Sequence, residues 1–201
     1  MRTTIRLATV ADGDAIARIY RPAVIDSATS FEIVAPQGKE MGVRVERTLQ
    51  RTPWLVCENG NDVVGYAYAN THHERPAYQW SVDTTVYVRE DQHRTGVGRA
   101  LYMSLFAILV RQGFYSAYAG ITLPNEASIG LHTSIGFTPV GVYRGVGFKH
   151  GAWRDIAWLE RELAPRNRMP NHPVSLPTLL KTVELEPSLA VGLQFLQALM
   201  R

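Results

Sequence analysis

Midway along the chain, the spacing of the apolar positions changes from that of a strand to that of a helix. Residues 82–88 are rich in Val, Thr and Tyr, a composition that favours a β-strand. Residues 89–95 are charged and polar, so they predict a loop. From Gly96 onward, apolar side chains recur at helical spacing, at Val97, Leu101, Leu105, Ile108 and Leu109. We therefore predict a strand, a loop and a long helix that ends at Gln112 and Gly113.

The residues before this segment predict two more helices and three strands. Asp12 is a candidate helix cap, because an apolar face with helical spacing follows it, made of Ala15, Ile16, Ile19 and Tyr20. Residues 21–32 are predicted to be irregular. Residues 59–62 read Asn-Gly-Asn-Asp, a strong hairpin signal. The other predicted elements are strands at 4–8, 53–58 and 63–69 and a surface helix at 36–50.

The residues after the long helix predict an antiparallel continuation. The predicted elements are a strand at 116–122, a short helix at 127–134 that ends at Gly136, and strands at 137–143 and 153–161. Residues 144–152 are rich in glycine, and we predict a long hairpin loop there. Strands in a mostly antiparallel arrangement, crossed by a few helices, indicate an α+β domain with a mixed central sheet flanked by helices.

The composition shifts after Leu163. Residues 164–177 contain four prolines and several polar residues and predict an extended linker. Ser188 is a candidate cap for a final helix, whose apolar stripe contains Leu189, Leu193, Leu196 and Met200. We therefore divide the chain into a domain at 1–163, a linker at 164–177 and a helical tail at 178–201. The stripe fits packing on its own domain and packing on a partner subunit equally well.

Composition and charge narrow the possible classes of protein. A chain of 201 residues with 46% hydrophobic content is one domain, or one domain with an appendage. The net charge of +3 suits an anionic cofactor, and without a long basic run it does not indicate nucleic-acid binding. Cys57 is the only cysteine, so there is no intrachain disulfide. No signal peptide or membrane span is predicted, and we expect a soluble cytoplasmic protein with no membrane partner.

The strand, loop and helix around Gly96 have the composition of an anion site. The first amides of a helix have no acceptor within the helix, and the helix dipole adds partial positive charge there. Gly96 and Gly98 lack a Cβ, so a phosphate can approach the backbone closely. Two nucleotide motifs are absent: there is no G-x-x-x-x-G-K-[ST], and Leu101 occupies the third glycine position of G-x-G-x-x-G.

The remaining motif resembles the acetyl-CoA pyrophosphate loop of the GCN5-related N-acetyltransferase (GNAT) superfamily. That loop reads Gln/Arg-x-x-Gly-x-Gly/Ala, and residues 93–98 here read His-Arg-Thr-Gly-Val-Gly, with His93 in place of Gln or Arg. Within the superfamily the chain is similar to the phosphinothricin and methionine-sulfoximine acetyltransferases. Four stretches carry that resemblance: PWLVCE, VDTTVYV, LPNEASIGLHTSIGF and GFKHGAWRDIAWLER. The resemblance ends near Leu163 and covers about four fifths of the chain.

The resemblance implies which residues bind acetyl-CoA. In this superfamily the central strand splays from its neighbour, and its free backbone groups pair with the pantetheine arm. The residues implied for the pantetheine arm are Val86, Tyr87 and Val88, and Asn125 is implied either to bond the arm or to steer the bound acyl group. Those implied for the pyrophosphate are His93, Arg94, Thr95, Gly96, Val97 and Gly98. Acetyl-CoA is then a co-substrate.

Two residues are candidates for acid–base chemistry. Asp83 is a carboxylate in an otherwise apolar and hydroxylic strand, where a charge is costly without a partner or a cleft. The resembled family has Glu at this position and uses it to accept the proton of the amine. His132 occupies the slot in N-x-x-[AS]-x-x-x-[YH]-x-x-x-G-F where many members have Tyr, and it is the candidate acid. Asp83 as a purely structural charge and deprotonation by solvent both stay open.

Other candidates concern the acceptor amine and metals. The candidate substrate-binding residues are Phe31, Arg75 and Thr84. His72 and His73 stand side by side, but no further His or Cys falls at zinc spacing, so no metal is expected. Cys57 is not expected to carry the acyl group, because the family transfers it directly.

These observations predict an acetyl-CoA-dependent N-acetyltransferase, a homodimer that acts on the α-amine of a small amino-acid analogue. Phosphinothricin and methionine sulfoximine or sulfone are the acceptors that the resemblance implies. Two alternatives remain. One is an acetyltransferase for peptide or protein amines, and the other is a non-catalytic acyl-CoA-binding or sensory module. The replacements at Asp83 and His93 favour the second alternative.

Overall fold

A computed structural model describes residues 3–199 of the protein. Its centre is a seven-stranded sheet in the order β1-β2-β3-β4-β5-β7-β6. The strands are β1 Thr3–Leu7, β2 Trp54–Asn59, β3 Asp62–Thr71, β4 Ser81–Val88, β5 Ser116–Thr122, β6 Thr138–Lys149 and β7 Ala152–Glu162. The helices are α1 Gly13–Ile25, α2 Gly38–Leu49, α3 Val97–Gln112, α4 Glu126–Ser134, α5 Leu176–Leu179 and α6 Glu186–Leu199.

All neighbouring strands are antiparallel except β4 and β5, which run parallel. This arrangement confirms the predicted mixed, mostly antiparallel sheet. The Asn-Gly-Asn-Asp signal forms the predicted hairpin, with β2 ending at Asn59 and β3 beginning at Asp62. Gly113 adopts a left-handed backbone conformation, with φ at 95°, and ends α3 as predicted.

The sheet is covered on both faces, and each face has its own hydrophobic core. One core lies between the sheet and α3 and includes Leu101, Leu105 and Leu109, which are fully buried. The other lies under α1 and α2 and is partly aromatic: the Trp54 and Tyr68 rings stack with centroids 4.1 Å apart. Because β4 lies mid-sheet, its alternate side chains enter the two cores.

Three predictions of local structure were wrong. The glycine-rich segment at 144–152 is not a long loop: β6 runs to Lys149 and β7 begins at Ala152, with a register irregularity between Tyr143 and Gly147. The Asp12 carboxylate accepts no hydrogen bond from the first amides of α1, because it accepts from Arg6 and Thr9 instead. The first helix also continues through residues 21–25, which were predicted to be irregular.

The predicted final helix is α6, and it packs on its own domain. It begins at Glu186, so Ser188 lies inside its first turn and accepts a hydrogen bond from Arg111 instead of capping it. Leu196 is buried, and Leu189 and Leu193 pack partly buried against the same core. Met200, the last member of the predicted stripe, lies outside the described residues.

The segment between β7 and α6 packs against the domain, and Leu176, Leu179 and Leu185 are buried in the α3 core. The backbone of Val174 pairs with that of Gln112, and the Gln112 amide nitrogen donates to the carbonyl groups of Arg51 and Val174. Trp80 donates its indole N–H to the Asn171 carbonyl at 2.8 Å. Within residues 3–199, no helix has the length and apolar character needed to cross a membrane.

Candidate active site

The site begins where β4 and β5 separate. The two strands pair only from Ser81 to Asp83 on β4, opposite Ser116 to Tyr118 on β5. Beyond that point β5 stays paired with β7, and β4 stays paired with β3 along its whole length. The edge of β4 that faces β5 is therefore open from Thr84 to Val88, and its backbone groups other than the Val88 carbonyl, which accepts from His93, are free to bind an extended ligand.

A cleft occupies the space between the separated strands. Its walls come from the two strands, from α3 and α4, and from the segment that joins α1 to α2. The lining residues are Thr29, Thr84, Thr85, Val86, Tyr87, Tyr102, Ala119, Gly120, Ile121, Thr122, Asn125, Ser128 and His132. Nine of the thirteen carry a hydroxyl, amide or imidazole group, so the cleft offers several hydrogen-bonding positions.

Side chains of β4 alternate between the two faces of the sheet at this cleft. Val86 and Val88 pack into the α3 core, whereas Tyr87 packs with the aromatic core under α1. By the same alternation, Asp83 lies on the face that carries Tyr87. Asp83 is also the last residue of β4 that pairs with β5, so it lies where the two strands separate, although it is not among the residues that line the cleft.

The loop before α3 presents unpaired backbone amides. Arg94 and Gly96 have positive φ angles, 62° and 91°, and these turn the chain sharply into the helix. Among residues 3–199, the amides of residues 94–98 donate to no acceptor. Adjacent free amides at the start of a 16-residue helix are a suitable site for a pyrophosphate.

Side chains of this loop point away from the predicted phosphate position. His93 donates Nε2–H to the Val88 carbonyl at 2.9 Å, and Thr95 donates its hydroxyl to the Gln92 carbonyl at 2.7 Å. Val97 is buried in the core. Thr95 and Val97 can therefore serve an anion through their amides. The predicted role of His93 at the pyrophosphate is not supported, because its amide donates to the Glu90 carbonyl and its imidazole to the Val88 carbonyl.

The two glycines of the loop face different neighbours. A Cβ on Gly98 would lie 3.3 Å from Leu131 of α4 and close to Val86 and Val88, on the side of the cleft. A Cβ on Gly96 would lie 2.6 Å from Leu199 of α6. Gly98 therefore leaves room towards the cleft, whereas Gly96 leaves room for the C-terminal helix.

Asp83 is paired with His72, which follows β3. The carboxylate Oδ1 lies 2.6 Å from His72 Nδ1. Burial raises the pKa of Asp83, while the hydrogen bond from His72 acts in the opposite direction. An ionised carboxylate only accepts hydrogen bonds, so the proton of this bond belongs to Nδ1. The pair satisfies the buried charge and fixes the direction of the carboxylate.

His132 is buried, and both of its ring nitrogens are engaged. Nδ1 lies 2.7 Å from the Ser128 carbonyl, which only accepts, so Nδ1 carries a proton. Nε2 lies 2.9 Å from the Tyr102 hydroxyl and accepts its proton when the ring is neutral. Burial lowers the pKa of His132, so the neutral form predominates at neutral pH.

Two other predicted residues line the cleft with part of their hydrogen-bonding capacity in use. Thr84 is buried and donates its hydroxyl to the Tyr118 carbonyl at 3.2 Å, across the point where the strands separate. Asn125 caps α4 by accepting from the Ser128 amide at 3.0 Å, which leaves its side-chain NH₂ available.

Neither Phe31 nor Arg75 lines the cleft. Phe31 packs on Gly147 of β6, where a Cβ would come within 2.1 Å of its ring. Arg75 is exposed at the turn before β4. From the segment that holds Phe31, it is Thr29 that lines the cleft. Buried Lys149 anchors this segment by donating to the carbonyls of Val24, Ser30 and Glu32.

Two other chemistries find no support in the described part of the chain. Cys57 is fully buried, and burial raises the pKa of its thiol to about 12, so it is a poor nucleophile. Residues 3–199 contain no group of three or more His, Cys, Asp and Glu side chains arranged to hold a metal ion.

Sequence reasoning missed His72 and Tyr102 as members of the site. His72 was considered only as a metal ligand. The antiparallel register pairs Asn70 with Asp83, so a side chain just beyond the end of β3 was bound to lie near the carboxylate. Tyr102 belongs to the apolar face of α3, where its hydroxyl gave no periodic signal.

Comparison with known proteins agrees with this geometry. Residues 5–158 match the acetyltransferase (GNAT) domain family. A phosphinothricin N-acetyltransferase from Streptomyces viridochromogenes is 38% identical over 172 residues, which cover 85% of this chain and 94% of the relative. An L-methionine sulfoximine/L-methionine sulfone acetyltransferase from Pseudomonas aeruginosa is 33% identical and covers 85% of this chain and 100% of the relative.

Solved structures agree as well. The structure of an acetyltransferase from Salmonella typhimurium with its cofactor acetyl-CoA superposes with a TM-score of 0.80 at 32% identity. That alignment covers 85% of this chain and 99% of the solved one. The matched region contains the separated strands, the amide-rich loop, Asp83 and His132. The chain belongs to the GNAT acetyltransferase family.

Proposed function

We propose that the protein transfers the acetyl group of acetyl-CoA directly to the α-amine of a small amino-acid analogue. The substrate class is that of phosphinothricin, methionine sulfoximine and methionine sulfone, which the names of its relatives specify. The observation that carries the proposal is the open edge of β4, which leads from the free amides at 94–98 to the carboxylate of Asp83.

The backbone supplies the binding site for the co-substrate. Acetyl-CoA contributes a thioester, whose carbonyl carbon is the electrophile. The open edge of β4, from Thr84 to Val88, pairs with the pantetheine arm as an added strand would. The amides at 94–98 bind the pyrophosphate, and the free NH₂ of Asn125 donates to the arm. This arrangement orients the acetyl group towards the closed end of the cleft.

Removal of a proton from the amine is the task of Asp83. An ammonium has no lone pair, so it must lose a proton before nitrogen can attack the carbonyl carbon. Nitrogen then bonds to that carbon, the carbon–sulfur bond breaks, and coenzyme A leaves as a thiolate. The carboxylate of Asp83 lies where this proton has to be removed, and burial increases its proton affinity.

His132 and Tyr102 supply the proton that the departing thiolate needs. Neutral His132 first takes a proton from solvent at Nε2. As the carbon–sulfur bond breaks, Tyr102 gives its hydroxyl proton to sulfur and receives the Nε2 proton, which restores neutral His132. Both residues line the cleft, and their 2.9 Å hydrogen bond connects the two transfers. Burial disfavours the imidazolium of His132, which makes it a stronger acid once it forms.

The acceptor enters from the side of α1 and α2, where Asp83 and Thr29 lie. Thr84 supports the closed end of the cleft. Phe31 and Arg75 act from the rim of the cleft. Phe31 packs the α1–α2 segment in place, and Arg75 attracts the carboxylate of the acceptor. We place the reaction in the cytoplasm, because its product coenzyme A is a free thiol that a reducing compartment preserves.

We also propose a homodimer formed through β6. This 12-residue strand lies at the edge of the sheet, and its large apolar side chains are exposed: Val140, Val142, Tyr143, Val146 and Phe148. An antiparallel edge strand can pair with its own copy about a two-fold axis, which buries such residues from both subunits.

The acceptor class is tested by amine-dependent release of thiol from acetyl-CoA. Methionine sulfone, methionine sulfoximine and phosphinothricin should each accelerate release at least tenfold over the rate without acceptor, with an N-acetyl product in the mass spectrum. Matched controls are the same compounds already N-acetylated and a short peptide with a free N-terminus. Release with the peptide alone would point to a peptide acetyltransferase, and binding without release in every case would indicate a sensory module.

The roles of Asp83 and His132 are tested by pH–rate profiles. Asp83→Ala should lower turnover by roughly a hundredfold near neutral pH, and the loss should shrink as pH rises, because free amine then forms unaided. In the parent, activity should fall as pH drops through the raised pKa of Asp83, since protonation removes the base. His132→Ala should also slow turnover, and Asp83→Glu should stay active. A parent-like rate and profile for Asp83→Ala would contradict the assignment.

The dimer is tested by mass in solution. The parent should sediment at twice the 22.5 kDa chain mass. The double variant Val140→Lys/Val142→Lys places lysines of one subunit opposite those of the other, and this repulsion should shift the protein to a monomer. Val34→Lys, an exposed valine outside β6, is the control and should stay dimeric. A monomeric parent would rule out this interface.

A further inference from the structure

The carboxylate of Asp83 has His72 as its hydrogen-bond partner among residues 3–199. Oδ1 accepts from Nδ1 at 2.6 Å, so Nδ1 carries the proton of a neutral ring and Nε2 carries the lone pair. Nε2 makes no hydrogen bond to residues 3–199. Nε2 is also not one of the fully buried, unpartnered polar atoms of this region, so it is at least partly accessible. A basic nitrogen is thus left without a partner beside Asp83, where β4 and β5 separate.

The ring of His72 is held in place by aromatic neighbours. It stacks on Tyr118, with centroids 4.4 Å apart and planes inclined by 16°. Tyr118 is the β5 residue paired with Asp83 where the strands separate. His73, Tyr78 and Trp158 meet the ring with their edges or at a tilt. The side chain is only 16% exposed, so the ring has one fixed orientation to offer a substrate.

We propose that Asp83 acts through His72 and does not take the amine proton itself: His72 Nε2 accepts the proton, and Asp83 holds the ring and its tautomer. Aspartate is one methylene shorter than the glutamate that the family resemblance implies, and the imidazole extends the reach of the pair. Imidazole is also the side chain that most often serves as a general base.

The proton balance of the step is simple. Before the reaction His72 is neutral and Asp83 is ionised. The proton leaves the acceptor nitrogen for Nε2, and the pair becomes an imidazolium bonded to a carboxylate. Solvent then takes the proton, which restores neutral His72. The charged or titratable groups that face the ring are Asp83, His73, Tyr78 and Tyr118, and Asp83 is the one bonded to it.

This inference rests on the proposed function and refines its base. The test variant is His72→Gln, whose amide still donates to Asp83 but cannot take up a proton. Its kcat/KM with methionine sulfone should fall roughly thirtyfold to a hundredfold at pH 7, with less loss at high pH and unchanged affinity for acetyl-CoA. The matched control is His172→Gln, because His172 Nδ1 also bonds a side-chain oxygen, that of Gln79 at 2.8 Å.

Two further measurements separate the outcomes. The double variant His72→Gln/Asp83→Ala should be no slower than the slower single variant, since the two residues act as one unit. Nitrogen-15 NMR of the parent should find the His72 proton on Nδ1, a result that does not depend on activity. If the kcat/KM of His72→Gln lies within threefold of an active parent, or if NMR finds the His72 proton on Nε2, this inference is overturned and the proposed function is not. A parent without amine-dependent release overturns the proposed function as well.

A second inference comes from α6, which lies beyond the region that matches the family. This helix runs antiparallel along α3. Arg111 donates to the Glu184 carbonyl, Ser104 to the Leu189 carbonyl, and Gly192 packs against the Ala100 carbonyl, where a Cβ would come within 2.1 Å. As residue numbers rise along the tail they fall along α3, so the end of α6 arrives at the amide-rich loop.

At that loop the last turn of α6 makes several contacts. The Arg99 guanidinium lies 4.7 Å from the centre of the Phe195 ring. Leu196 is 3% exposed, and its Cδ2 lies 3.3 Å from where a Cβ of Gly96 would be. We infer that Phe195 and Leu196 are positioning residues for the pyrophosphate loop: they hold Gly96 in its left-handed conformation before the co-substrate binds.

The test compares two buried leucines of the tail. Leu196→Ala touches the loop, whereas Leu185→Ala, 5% exposed, lies at the opposite end of α6 beside the end of α3. Both should lower the melting temperature. Only Leu196→Ala should also raise the dissociation constant for acetyl-CoA, roughly fivefold to tenfold, with kcat at saturating acetyl-CoA unchanged. Gly98→Val serves as a reference in which acetyl-CoA binding is abolished. Equal effects of the two leucines on affinity, or no effect of either, would contradict the inference.

Discussion

The separation of β4 from β5 is the constraint on which the rest of the structure depends. A strand in the middle of a sheet normally has both edges paired, because unpaired backbone groups away from water are costly. Here β4 pairs with β5 at three positions and then leaves its edge open for the rest of its length. A ligand with alternating amide groups satisfies that edge, and the pantetheine arm is such a ligand. The same divergence creates the cleft that α3, α4 and the α1–α2 segment enclose.

Charge is handled at this cleft by pairs of residues. Asp83 is buried enough for its pKa to rise, and His72 both offsets the cost and fixes the carboxylate. His132 is buried as a neutral ring between Tyr102 and Ser128. The Asp83–His72 pair therefore accepts a proton, and the His132–Tyr102 pair is arranged to release one. The two pairs lie towards opposite faces of β4. The anion site at 94–98 needs no side-chain charge, because free amides and the helix dipole supply the attraction.

Elements with a strong local signal were predictable from the sequence. The strand at 116–122, the hairpin at Asn59 to Asp62 and the helix from Val97 to Gln112 occur where spacing and turn residues placed them. The glycine-rich segment at 144–152 was misread, because glycine signals a loop locally, whereas pairing with β7 is decided by contacts that are distant in sequence. The cap at Asp12 failed for a similar reason, since Arg6 competes for its carboxylate.

The site was partly predictable for the same physical reason. Asp83, His132 and the glycine loop lie in motifs whose residues are close in sequence. His72 and Tyr102 join the site only through strand register and helix packing, which no local pattern encodes. The role of α6 also needed the structure, because its stripe of leucines fitted a partner subunit as well as its own domain.

The most direct measurement is a crystal structure of the protein with acetyl-CoA. The account predicts pantetheine amides bonded to the backbone of β4 between Thr84 and Val88, and the pyrophosphate on the amides of residues 94–98. The thioester carbonyl should lie at the closed end of the cleft, beside the Asp83–His72 pair. A complex in which the edge of β4 stays free and acetyl-CoA binds elsewhere would contradict the account.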